Sequence, residues 1–125
     1  MKIMFVSAAN STHTVRWVNA LAERGHEVYL VSNRGHEPKE DALNSRVKLY
    51  LMKHSGGKGY YLNAGELRKI AKRINPDVIN VHYASGYGTL ARKARLPKYI
   101  LSVWGSDVYD FPYESRVKNH ILSLI

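Results

Sequence analysis

The feature that most constrains the fold of this chain is a series of five short apolar runs, with helical patterns between several of them. Residues 2–7 (Lys-Ile-Met-Phe-Val-Ser) form an uninterrupted apolar run, as expected of a strand buried on both faces. Further strands are predicted over residues 28–31, 47–52, 77–82 and 99–104. This succession is typical of parallel strands joined by helical crossovers. The sequence therefore predicts an α/β, Rossmann-like fold with a doubly wound parallel sheet in the order 3-2-1-4-5.

The segment between the third and fourth strands carries the clearest local signals. Asn63 and Glu66 have the spacing of a capping box. An apolar stripe at helical spacing follows, and Pro76 ends it. The stripe consists of Leu67, Ile70, Ala71 and Ile74. The preceding stretch, residues 53–61, contains three glycines and is predicted to be a loop.

Length and composition limit the organisation of the chain. Its 125 residues suffice for one domain, predicted over residues 1–125, and it contains no cysteine. The final apolar helical run, residues 121–125, has no stop signal, so we expect this domain to be truncated at its C-terminal end. Neither a signal-peptide pattern nor an apolar run of membrane-spanning length is present. We expect a cytoplasmic protein, with or without peripheral contact to the inner face of the cell membrane.

The charge balance favours anionic partners. Lysine and arginine number 19 against 10 aspartates and glutamates, a formal net charge of +9. Such an excess suits nucleic acid, phosphorylated small molecules or an acidic membrane surface, and it does not choose among them.

Polar side chains are concentrated in the loops predicted at the carboxyl ends of strands 1, 4 and 5. Ligands of open α/β sheets bind at this edge. His13, His82 and Asp107 are the candidate catalytic side chains there, although a histidine in such a loop can equally serve only to cap a helix or bond a carbonyl. The candidate acceptor-binding or donor-phosphate-binding residues are Asn10, Ser11, Tyr83, Ser85, Gly86, Gly88, Trp104, Gly105 and Ser106.

The glycines at 86 and 88 follow a strand and open a helix, as in a phosphate-cradling turn. The turn is too short to be a dinucleotide fingerprint, and strand 1 is followed by Ala-Ala-Asn-Ser rather than by glycines. Histidine and acidic residues do not occur together at the spacing of metal ligands. The sequence therefore predicts neither a metal site nor a bound cofactor.

A second feature is a basic and aromatic stretch that suits an anionic membrane surface. An ordinary solvated helix face would have the same composition, and this alternative stays open. The candidate membrane-surface residues are Lys53, Lys58, Tyr60, Tyr61, Arg68, Lys69, Lys72 and Arg73.

Three short motifs in a fixed order resemble those of a known family. They are Arg-Gly-His-Glu-Val at 24–28, Pro-Asp-Val-Ile-Asn-Val-His at 76–82 and Gly-Ser-Asp at 105–107. In order and spacing the chain resembles the N-terminal domain of group 1 (family 4) glycosyltransferases of the GT-B architecture. The resemblance spans nearly the whole chain, but only about the first third of such an enzyme.

The resemblance implies a two-domain transferase of the hexosyltransferase type, active in cell-surface polysaccharide biosynthesis. Its N-terminal domain would bind a sugar or lipid-linked acceptor, and its C-terminal domain the nucleotide-sugar donor. The paired glutamates of the donor site belong to that second domain and are absent here, so we expect the chain alone to be inactive.

Two departures from the family pattern affect the predicted site. Ala8-Ala9-Asn10-Ser11 stands where many relatives have a Gly-Gly turn near the donor diphosphate. Trp104-Gly105 stands where many have His-Gly, and an indole donates hydrogen bonds but accepts none. Either His82 or His13 takes over the role of that histidine, or the site is arranged differently.

Two other classes of function remain as alternatives. A non-catalytic nucleotide- or nucleic-acid-binding module would fit the net charge of +9, but the basic residues lie on helix backs and no nucleic-acid motif is present. A Rossmann-type oxidoreductase is disfavoured by the missing glycine fingerprint.

Overall fold

The structure, a computed structural model, describes residues 1–82 and 86–102. These residues form an α/β unit in which helices connect most of the strands. In chain order the elements are β1 (Lys2–Val6), α1 (Thr12–Glu23), β2 (Glu27–Arg34), β3 (Lys48–Ser55), α2 (Gly56–Leu62), α3 (Ala64–Ile74), β4 (Val78–His82), α4 (Gly86–Lys93) and β5 (Ile100–Ser102).

The strands form one parallel sheet in the order β3-β2-β1-β4-β5, which confirms the predicted fold class and order. Val6 of β1 pairs with Val31 of β2 on one side and with Val81 of β4 on the other. Since the strands are parallel and in this register, the residues that follow the three valines lie at one level along the edge of the sheet. These residues are Ser7, Ser32 and His82.

Both faces of the sheet are buried. On one face Met4 shares a core cluster with Leu67 of α3 and Leu90 of α4. On the other face Phe5 shares a cluster with Val18 of α1. The uninterrupted apolar run of β1 is explained by this arrangement, because its alternate side chains enter different cores.

Helix α1 has an apolar stripe that faces the sheet. Val18 and Ala22 are buried and Gly25 ends the helix region with φ of +89°, a conformation that favours glycine. Trp17, however, is 58% exposed and does not join the apolar stripe. Ser11 occupies the N-cap position without a side-chain capping bond.

The prediction of a loop over residues 53–61 is wrong. Strand β3 continues to Ser55, and residues Gly56–Leu62 form α2. Strand β2 is also longer than predicted and extends to Arg34. Glycine lowers helix propensity by about 1 kcal/mol relative to alanine, so the local sequence opposes α2. Tertiary contacts described below override that preference.

The predicted capping box is also wrong. Asn63 makes no side-chain capping bond to α3, and Glu66 instead accepts a hydrogen bond of 2.9 Å from the backbone N–H of Lys53. The Asn63 amide is fully buried and bonds to both the N–H and the carbonyl of His54 and to the Asn33 side chain. It therefore joins α2 and α3 to the ends of β2 and β3. The apolar stripe of α3 is buried as predicted.

No helix within the described part of the chain is long and apolar enough to cross a membrane.

Candidate functional site

The carboxyl ends of β1 and β4 mark the point at which the chain changes direction across the sheet. From β1 the chain passes through α1 to β2, whereas β4 is reached from β3 through α2 and α3. Helix α1 covers one face of the sheet, while α3 and α4 cover the other. Neighbouring strands whose connections diverge in this way leave a crevice outside their carboxyl ends, where ligands of open parallel sheets bind.

The turn that follows β1 is held in place by buried hydroxyl groups. Ser7 Oγ lies 2.6 Å from Thr14 Oγ1, which ties the end of β1 to the first turn of α1. Ser32 Oγ, at the same level of β2, donates a hydrogen bond to the carbonyl oxygen of Ser7. Both ends of the turn 8–11 are thereby fixed, and with them the position of His13 at the start of α1.

His82, the last residue of β4, is buried, with 2% of its surface exposed. Its ring packs edge-on against Phe5, with ring centroids 5.3 Å apart. Burial and, secondarily, the charge of His13 lower the pKa of His82 to about 4. The imidazole is therefore neutral near pH 7 and can both donate and accept a hydrogen bond.

The structure brings the two predicted histidines together. His13 is exposed at the start of α1, and it lies close enough to His82 to influence its titration. Asn10, which is exposed, and Ser11, which is partly buried, belong to the intervening turn. One exposed and one buried imidazole therefore lie near the switch point, where ligands of open parallel sheets bind.

The glycines of the predicted phosphate turn have packing roles. A Cβ on Gly86 would lie 2.7 Å from the ring of Tyr60, so this residue allows α4 to begin against α2. Gly88 is buried in the first turn of α4. Phosphate binding by this turn remains a prediction.

The other predicted site residues lie outside the described part of the chain. They are Tyr83, Ser85, Trp104, Gly105, Ser106 and Asp107.

A buried polar network beside the site was missed by the sequence reasoning. Tyr87 Oη accepts a hydrogen bond of 2.9 Å from the Asn33 N–H and lies 2.6 Å from Nδ1 of His36. Burial raises the pKa of Tyr87 well above its usual value, so the phenol stays protonated. The Tyr60 ring meets Tyr87 edge-on at 5.3 Å. The network connects β2, α2 and α4.

A sequence signal for this network did exist. Ser32 and Asn33 directly follow the apolar run 28–31, and polar residues at the end of a buried strand require partners. The prediction of a strand over residues 28–31 alone leaves Asn33 outside it, and this conceals that requirement.

The predicted membrane-surface residues do not form a single face. Tyr61 and its neighbour Leu62, at the end of α2, are each 57% exposed, and Lys93 of α4 lies 5.1 Å above the Tyr61 ring. Lys58 is exposed on α2, whereas Tyr60 is partly buried. Lys53 is exposed near the end of β3. On α3, Arg68 and Lys72 line a cavity that Lys69 and Arg73 do not reach.

Within residues 1–82 and 86–102, no group of three histidine, aspartate or glutamate side chains is placed to hold a metal ion.

Comparison with protein families identifies the chain. A family model described as glycosyl transferase 4-like matches residues 2–125, nearly the full sequence. The chain belongs to this family. Membership in the glycosyl transferase 4-like family supports a function of the glycosyltransferase type and agrees with the resemblance of the sequence motifs.

Among solved structures, this glycosyl transferase 4-like chain is similar to a UDP-galactose 4-epimerase, with 13% identity and a TM-score of 0.45. The alignment covers 68% of this chain and 38% of the epimerase chain. A search of curated protein sequences finds no significant match.

Proposed function

We propose that this chain is the acceptor-side portion of a glycosyltransferase that moves a sugar from a nucleotide-sugar donor to a sugar or lipid-linked acceptor. The observation that carries the proposal is the pair His13 and His82 at the switch point of the sheet, in a chain that matches a glycosyl transferase 4-like family over residues 2–125. In this proposal the nucleotide-sugar is held mainly by a second domain, and the chain alone does not turn over.

The role proposed for His82 follows from its protonation state. A histidine with a pKa of about 4 is neutral during turnover near pH 7. It can accept a hydrogen bond from a hydroxyl of the acceptor on one ring nitrogen, or donate one to a sugar oxygen from the other, without adding a charge to the site. His13, which is exposed, would contact the same ligand from the solvent side.

The test is turnover by the full-length protein carrying His82→Gln, assayed over a panel of nucleotide-sugars with sugar and lipid-linked acceptors. We expect kcat/KM to fall at least about tenfold, or ~1.4 kcal/mol of transition-state stabilisation, because glutamine cannot reproduce both positions of the imidazole nitrogens. His26→Gln is the matched control, since His26 lies between α1 and β2 at the opposite edge of the sheet.

The control should retain kcat/KM within about twofold of the wild-type value. Turnover by a folded His82→Gln protein within that same range would assign His82 to packing alone. Nucleotide binding without transfer to any acceptor would favour the non-catalytic module instead.

We further propose that the end of α2 contacts an anionic membrane surface, which would bring a lipid-linked acceptor to the site. Tyr61 and Leu62 are both exposed, and Lys93 lies over the Tyr61 ring. Lys58 adds a second exposed cation on the same helix. An aromatic and an aliphatic side chain next to cations is the composition that binds at the boundary between headgroups and acyl chains. Helix α2 follows β3 directly, so this surface adjoins the carboxyl edge of the sheet.

A further inference from the structure

A cavity of about 220 Å³ lies between the C-terminal ends of α3 and α4, and the proposed transferase site does not use it. Its wall includes Ile79, the second residue of β4, whereas His82 ends that strand at the proposed site. Three residue steps along the strand place the two roughly 10 Å apart. The cavity is therefore separate from the proposed transferase site.

The lining of the cavity combines an apolar wall with a cationic rim. Ala71, Ile79 and Leu96 are buried core residues, and they present an apolar surface to the cavity. The rim carries the side chains of Arg68, Lys72 and Arg95. Across residues 1–82 and 86–102, the only ion pair joins Lys2 to Glu27, so no described carboxylate neutralises these three cations.

Arg95 occupies a backbone position that would suit glycine. Its φ is +54°, and the Leu96 N–H bonds to the carbonyl of Ala91 across it, as in a helix end closed by a left-handed residue. A residue with a Cβ is strained in this conformation. The chain nevertheless places an arginine here, at the rim of the cavity.

The cations of α3 are divided between the cavity and open solvent. Arg68 and Lys72 are four residues apart and both line the cavity, whereas Lys69 and Arg73 lie outside it. The preference of cations for helix C-termini applies to Lys72 and Arg73 alike, yet only Lys72 lines the cavity. This preference therefore does not account for the convergence of Arg68 and Lys72 with Arg95 on one cavity.

We propose that this cavity binds a compact phosphate monoester whose organic part is apolar. A phosphate monoester carries between one and a half and two negative charges near pH 7, which suits three cations better than a single carboxylate would. Two guanidinium groups can bond phosphate oxygens in pairs, and the ammonium of Lys72 adds a point charge. The apolar wall would hold the organic part. The volume is below the roughly 300–1,000 Å³ of pockets for drug-sized ligands, so the ligand is small.

The experiment measures binding of phenyl phosphate to the full chain by calorimetry and by the rise in Tm, with inorganic phosphate and phenol as reference probes. We expect saturable binding of phenyl phosphate, at least tenfold tighter than that of either reference. The variant Arg68→Gln/Lys72→Gln should weaken binding at least tenfold. Its matched control, Lys69→Gln/Arg73→Gln, removes the same two charge types from the same helix and should change binding less than twofold.

A third variant separates binding from folding. Asparagine tolerates the left-handed conformation, so Arg95→Asn removes the cation without requiring a new backbone. We expect it to fold with an unchanged or higher Tm and to bind phenyl phosphate at least fivefold more weakly. The absence of saturable binding by the wild type, or equal losses in the two double variants, would overturn the proposal.

A final arm distinguishes a soluble phosphate from a lipid headgroup. Phosphatidic acid exposes a phosphate monoester, whereas phosphatidylglycerol does not. If the source is a lipid, the wild type and Lys69→Gln/Arg73→Gln should bind phosphatidic acid vesicles more tightly than Arg68→Gln/Lys72→Gln does. If the source is soluble, both double variants should bind those vesicles equally while still differing toward phenyl phosphate. If the two double variants bound phenyl phosphate equally and also bound phosphatidic acid vesicles equally, the assignment of the cavity as a phosphate site would be contradicted.

Discussion

At the scale of single residues, His82 shows how strongly position determines the chemistry of a side chain. The residue ends β4, packs against Phe5 and is almost fully removed from solvent. Its neighbour at the site, His13, is exposed. Because burial penalises the charged form, the position of His82 at the end of a buried strand lowers the pKa of its imidazole.

The burial of His82 predicts a specific dependence of stability on pH. Its pKa is about 4 in the folded chain and 6.5 as a reference for the unfolded chain. Between these values the unfolded state binds the proton and the folded state does not, so stability falls as pH decreases from 6.5 toward 4. This difference in pKa corresponds to about 3 kcal/mol of unfolding free energy. Above pH 6.5, His82 does not contribute to the slope of stability against pH.

Urea unfolding from pH 4 to 7.5 measures this effect. The His82→Gln variant should lose the corresponding part of the slope, and the control His26→Gln should retain it. Parallel stability curves for wild type and His82→Gln would show that His82 titrates normally in the folded chain.

At the scale of elements, α2 is a helix that its own sequence opposes. Three of its seven residues are glycine. The helix is held by the contact of Tyr60 with Tyr87 and by the buried amide of Asn63, which bonds to β2 and β3. Gly59 is required at the closest approach, because a Cβ there would lie 2.7 Å from the carbonyl oxygen of His54.

Alanine substitutions within α2 should therefore have opposite effects. Gly59→Ala should destabilise the chain by about 1–3 kcal/mol, because the backbone oxygen of His54 cannot move away without disturbing β3. Gly57→Ala is the matched control, since no atom lies within 4 Å of its added Cβ. It should stabilise the chain by up to about 1 kcal/mol through helix propensity. Chemical denaturation of both variants measures the difference, and equal effects would mean that α2 does not pack closely against β3.

At the scale of the whole molecule, the two faces of the sheet present different exposed apolar residues. Trp17 lies on α1, which covers one face, and Tyr61 and Leu62 lie on α2, which contacts α4 over the other. Two cations lie at α2: Lys58 is exposed on the helix itself, and Lys93 of α4 lies over the Tyr61 ring. A membrane contact through α2 would thus depend on one face of the domain only.

Vesicle co-sedimentation of the full-length protein tests that contact. With vesicles containing phosphatidylglycerol, Tyr61→Ser/Leu62→Ser should lower the partition coefficient about tenfold, whereas Trp17→Ser should leave it nearly unchanged. Raising the salt concentration to 0.5 M should weaken wild-type binding, since exposed charges are then screened within about 5 Å. Equal binding to neutral and anionic vesicles, or equal losses in the two variants, would return this surface to an ordinary solvated face.

The sequence by itself determined the parallel sheet, its strand order and the position of His82 at the end of β4. These features follow from apolar runs and from helix-ending residues such as Gly25. Such signals act over a few residues along the chain and do not depend on tertiary contacts. The buried stripe of α3 was predicted correctly for the same reason, because helical spacing of apolar residues is a local pattern.

Only the tertiary structure decided the helical state of residues 56–62, the role of Asn63 and the division of the α3 cations between cavity and solvent. The partners of Asn63 include Asn33, thirty residues away, and the Tyr87 hydroxyl reaches back to the same strand. The cavity requires Arg95 of another helix end beside Arg68. Local propensity and spacing carry no information about such distant partners, and here the free energy of their contacts outweighed the preference of the local sequence.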